Sequence, residues 1–158
     1  MIDLATRAVH IADITTNPNS EFMAQVARNL TDQFDGFLRQ KRHLIIDRDS
    51  KFTAQFKRIL KDAGVKTVLT AWRAPNMNAV SERFVLSIKS ECLDRMILFG
   101  ERSLRRAVSN YADHYHSERA HQGLGNVMID CHVQAGNGEV VVRERLGGLL
   151  KYYHRSAA

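Results

Sequence analysis

The chain has 158 residues, 44% of them apolar and 25% charged, which suits one domain with its own core and an ordinary soluble composition. Its net charge of +6 and pI of about 9.6 fit either a plainly solvated basic surface or a polyanion partner such as nucleic acid. Cys92 and Cys131 stand far apart and form no C-x-x-C pair, which argues against a disulfide framework and a cysteine zinc site. No apolar run approaches the ~18–20 residues of a membrane span, and MIDLATRAVH lacks a cationic start followed by an apolar core. A cytoplasmic protein with reduced thiols and no membrane partner is expected.

In chain order, AVHIADI (8–14) alternates loosely and carries β-branched residues, which predicts a strand. TTNPNS reads as a turn whose Asn19 or Ser20 caps the next helix. In that helix Phe22, Val26, Leu30 and Phe34 recur every fourth residue and predict one core-facing stripe, ended by Asp35-Gly36. HLII is short and continuously apolar, as in a strand buried on both faces. Phe52, Phe56, Ile59, Leu60 and Ala63 form a second helical stripe, with Gly64 where a left-handed C-terminal glycine belongs. VKTVLT reads as a strand and AWRAPNMN as an irregular loop fixed by Pro75. Long helices are expected over 79–96, with Phe84, Ile88 and Cys92 on one side, and over 101–118, with Leu104, Val108, Tyr111 and Tyr115 in register. HQGLGN breaks the chain, and residues 127–158 hold the β-like run EVVV and the apolar, basic stretch RERLGGLLKYYHR. Strands alternating with helices predict an α/β layered fold with a partly parallel sheet.

In parallel α/β sheets, ligands bind outside the carboxyl ends of strands. Asp47 follows the predicted strand directly and Asp49 lies two residues on. Aspartate also serves as an ordinary turn and cap former. Glu82 falls early in a long helix, and Lys89, seven residues later, lies on nearly the same face. A first-turn Glu is favoured by the helix dipole without any further role. Paired across space with a strand-end Asp, it becomes a site for a hard cation such as Mg²⁺, which takes carboxylate oxygens, waters and phosphates.

The ordered set IIDRDSKFT, the thirty-four residues between Asp47 and Glu82, APNMNAVSERFVLSIKSECLDR and YHSERAHQGLGN resembles the catalytic core of DDE-type transposases and integrases. The resemblance implies a ribonuclease H-like α/β fold, a central mixed sheet flanked by helices. It implies a partial core over 1–126 with a C-terminal tail over 127–158. It also implies DNA integration by two-metal phosphoryl transfer, in which two Mg²⁺ or Mn²⁺ ions activate the attacking oxygen and stabilise the leaving one. By position, Asp47 and Glu82 match the second and third acids and their metal-binding role. Lys89, Asn76 and Asn78 match residues close to DNA. The segment HYHSERAHQGL matches a pattern in which Tyr115, Arg119 and His121 recur, and Arg119 and His121 are assigned to the DNA side. The partners implied are transposon ends and target DNA, with the protein as a homo-oligomer on DNA.

The family's first acid and its strand have no counterpart here, so the first strand is expected to be missing and the chain inactive. Asp3 and Asp13 are the upstream candidates, and both are poorly placed for the role. A non-catalytic nucleic-acid-binding remnant and a metal-dependent nuclease on the same fold remain open alternatives. His114, His116 and His121 do not suggest zinc, because residues two apart on a helix point away from each other. Three basic groups (Arg39, Lys41 and Arg42; Lys57, Arg58 and Lys61; Arg102, Arg105 and Arg106) are either solvated faces or phosphate contacts. No phosphate-binding glycine loop and no nucleophile elbow is present.

Overall fold

The computed structural model describes residues 1–72, 77–130 and 136–156. The chain divides into two compact units, Met1 with His10–Val80 and Ile2–Val9 with Ser81–Ala158.

The first unit holds α1 (Ser20–Leu30), β1 (His43–Ile46), α2 (Ala54–Asp62) and β2 (Lys66–Leu69). The Asn19 side chain caps α1 by accepting from the Phe22 amide at 2.8 Å. The Thr53 hydroxyl caps α2 by accepting from the Phe56 amide at 3.2 Å. Each cap satisfies an amide that the first helical turn leaves unpaired. Gly64 follows α2 with φ +82°, a conformation that costs a residue with a Cβ. The chain then enters β2, which runs parallel to β1 with His43 opposite Lys66 and Ile46 opposite Leu69. The buried faces of α1 and α2 meet in one core of Met23, Val26, Ala27, Leu30, Phe56 and Leu60, which Leu38 and Val65, just before β2, join.

The second unit holds most of α3 (Ala79–Glu91), then α4 (Gly100–Ser117) and the antiparallel hairpin of β3 (Val140–Arg145) and β4 (Leu150–Arg155). Its core is aromatic. Phe84 meets Tyr115 edge-on with ring centroids 5.0 Å apart, and Tyr111 and Cys92 are fully buried. The hairpin turns through Leu146, Gly147 and Gly148, all at positive φ, and two glycines in series relieve most of that strain. Segment Ile2–Val9 is closed by one bridge between those two residues, and the Val9 amide donates to His116 Nε2 at 2.8 Å.

Several expectations are corrected. Residues 8–14 form no strand among the described residues. Val9 makes a single bridge, because alternation creates a strand only where a neighbour offers backbone partners. The first helix stops at Leu30, earlier than Asp35-Gly36, and Phe34 is 77% exposed rather than part of the stripe. The Asp32 carboxylate accepts from the Phe34 amide at 2.8 Å and turns the chain there. HLII is not buried on both faces; only Ile46 is buried, because β1 pairs on one edge alone among the described residues. In place of one central mixed sheet, the described strands form a parallel pair and a separate antiparallel pair. The tail read as apolar and basic contains β4, and β3 extends beyond EVVV to Arg145. Cys131 and the loop residues around Pro75 lie outside the described residues.

Candidate functional site

Asp47 is exposed at the carboxyl end of β1, in the first unit. Its Oδ1 accepts from the Asp49 amide at 3.1 Å, a short turn that presents the carboxylate at the strand tip. The Asp49 carboxylate is engaged elsewhere. Lys51 Nζ donates to it at 2.7 Å, and this bond, with one from the Lys51 amide, lowers its pKa. Arg48 donates to the Thr70 carbonyl at 3.2 Å, and its guanidinium lies 5.1 Å from the ring centre of Trp72, an indole that is 80% exposed. The end of β1 thus carries an acid, a cation and an open aromatic surface. Sequence reading passes over Trp72, whose only sequence signal is a lone Trp just after the predicted strand VKTVLT.

In the second unit, Glu82 is exposed in the first turn of α3, and Lys89 is exposed in its last turn. Asn78 is exposed just before the helix, and Asn76 lies outside the described residues. Arg119 donates to Glu91 Oε1 at 2.6 Å, while the Tyr111 hydroxyl donates to the other Glu91 oxygen at 2.9 Å. Burial, then the bond to Glu91, pushes the Tyr111 hydroxyl pKa up. His121 is buried, with Nε2 2.7 Å from the Tyr115 carbonyl oxygen and its ring centre 4.4 Å from that of Tyr115. Arg119 and His121 therefore tie α4 to its surroundings.

Sequence reading missed the ion cluster on Glu118. This carboxylate is buried, is held by Arg145 and Arg143 of β3, and lies 2.9 Å from His114 Nδ1. The i,i+4 spacing of His114 and Glu118 was its only sequence signal.

Among the described residues, no group of three or more His, Cys, Asp or Glu side chains is arranged to hold a metal ion. Both upstream acids serve turns: Asp3 Oδ1 accepts from the Ala5 and Thr6 amides at 2.8 and 2.9 Å, and Asp13 Oδ1 accepts from the Ile14 amide at 2.7 Å. No described helix is long and apolar enough to cross a membrane.

No curated protein matches the chain. A family model does match, over residues 63–128, a stretch that contains Glu82, Lys89, Asn78, Arg119 and His121 and leaves Asp47 outside it. That model describes an integrase core domain, and over this stretch the chain is similar to it.

Proposed function

We propose that this chain supplies part of a ribonuclease H-like catalytic core for DNA integration, residues 1–126, with 127–158 as an appended tail. Asp47 and Glu82 are two of its acids, and Lys89 and Asn78 lie on its DNA side. The carrying observation is an exposed carboxylate at the carboxyl end of a strand in a parallel β-α-β unit, ahead of an integrase core segment bearing an exposed helical glutamate. Mg²⁺ or Mn²⁺ is the cation such carboxylates take. Asp3 and Asp13 each hold a turn, and among the described residues no three acids are grouped to hold a cation. The chain alone is therefore expected to bind DNA without cutting or joining it.

The test is Mg²⁺-dependent nicking and joining of plasmid and oligonucleotide DNA by the chain, Asp47→Asn and Glu82→Gln. Joining by the unaltered chain that both substitutions abolish would establish the acids and overturn the expected inactivity. A product translated from an upstream in-frame start, if it joins DNA, must lose that activity in both substitutions. Joining that survives either one removes that residue from the site. Cutting without joining identifies a nuclease instead.

A further inference from the structure

The first unit has a second surface with a marked chemical character. Between the C-terminal half of α2 and the start of β2 runs an open groove of about 700 Å³. Lys57, Arg58, Lys61 and Lys66 line it, with Asp62 as the one acid in its wall. Asp62 answers Arg58 only, at 3.9 Å across an exposed helical pair, which is weak compensation. Among the described residues no carboxylate pairs with Lys57, Lys61 or Lys66. Lys57 and Lys61 are four residues apart on one helix, an arrangement that costs stability through like-charge repulsion. The helix dipole accounts for Lys61 in the last turn of α2, but not for Lys57 or for Lys66 on a strand.

Strand pairing adds to the cluster. The Lys66 amide donates to the Arg42 carbonyl at 2.9 Å, so exposed Arg42 enters β1 beside exposed Lys66. Asp47 follows the opposite end of β1, whose four residues span about 13 Å at roughly 3.3 Å each. The groove is therefore separate from the acid corner.

We propose that this groove is a track for the backbone of duplex DNA, binding phosphates without reading bases. Unpaired lysines around an open groove bind a polyanion by releasing its counterions, which supplies affinity and no sequence preference. The choice of DNA over other polyanions rests on the DNA-integration reading, whereas the groove itself does not depend on the acids.

The experiment measures binding of a random-sequence duplex DNA to the full chain between 50 and 200 mM salt. Each lost phosphate contact lowers the slope of log affinity against log salt by about 0.9, so K57A/K61A/K66A lowers it by about 2.7. Over that salt range the unaltered chain then loses roughly 40-fold more affinity than the variant. K57R/K61R/K66R keeps the original slope. Amine acetylation of the unaltered chain, read by mass spectrometry, shows DNA shielding Lys57, Lys61 and Lys66 even where the alanine variant folds poorly. An unchanged slope, an absence of shielding, or tighter binding of duplex RNA than of duplex DNA overturns the proposal. The slope is read without divalent cation, where no joining chemistry runs, so failure of the joining chemistry and failure of the groove are separate results.

Discussion

Arg145 closes a fork on Glu118: its Nε lies 3.0 Å from each carboxylate oxygen, and Nη2 lies 2.8 Å from Oε1. The contact joins β3 to the residue that follows α4. Burial by itself raises the Glu118 pKa, but bonds from Arg145 and His114 outweigh it and hold the carboxyl below its ordinary value. Removing Arg145 leaves this buried charge to Arg143 and His114 alone, so Arg145→Ala is expected to cost about 2 kcal/mol in urea unfolding. Glu118→Gln combined with Arg145→Met costs less than Arg145→Ala alone. Simple additivity of the two changes counts against the ion pair as the source of the loss.

The same pair fixes an acid-side pH dependence. A carboxyl whose folded pKa is lowered adds stability above its unfolded value of about 4.3. That contribution disappears as pH falls through the lowered folded value. Glu118→Gln should flatten the stability curve below about pH 4.5 relative to the unaltered chain.

His116 works in a different window and with the other ionic form. Its Nε2 accepts the Val9 amide, so the ring is needed neutral, and burial lowers its pKa. The unfolded chain then protonates first as pH falls below about 6.5, and stability declines from there to the lowered folded value. His116→Gln should reduce the stability difference between pH 7.5 and 5.5, leaving the share that His10 carries, since burial lowers its pKa too. Titration of the ring by NMR with a pKa above 6.5 contradicts this account.

Two phenylalanines separate apparent periodicity from real burial. Phe56 is 1% exposed in the first core, and Phe34 is 77% exposed beyond the end of α1. Phe56→Ala is expected to cost about 3–5 kcal/mol, whereas Phe34→Ala stays within about 0.5 kcal/mol. Denaturant midpoints of the two variants decide whether the fourth position of the stripe packs.

The acids should be separable from folding. Asp47 and Glu82 are both exposed, and the Asp47 side chain holds one turn amide that asparagine also holds through its own oxygen. Asp47→Asn and Glu82→Gln are therefore expected to change unfolding free energy by no more than about 0.5 kcal/mol. A larger loss assigns these side chains a role in holding the fold.

Local chemistry made much of this protein readable in advance. Asn19 and Gly64 act on backbone groups within a few residues, so the start of α1 and the stop of α2 could be inferred from residue type, whereas the Thr53 cap came only from the structure. The stripe of Phe84, Ile88 and Cys92 and the stripe of Val108, Tyr111 and Tyr115 predicted buried faces because a helix repeats its face every three to four residues. Asp47 was placed at a strand end by the apolar run before it. AVHIADI failed because a strand needs a partner, and its own residues say nothing about whether one lies alongside.

The sequence by itself determined where α2 and α4 form, where α3 starts (it ends at Glu91, short of the expected 96), where β1 and β2 run, and which helix faces are apolar, since neighbours along the chain set those features. Only the tertiary structure decided that Glu118 is buried against Arg145, that His121 lies under Tyr115, and that Lys57, Lys61 and Lys66 share one groove. A charged side chain has the same composition whether solvated, paired or clustered. Its role is fixed by long-range contacts that bring distant residues within a few ångströms.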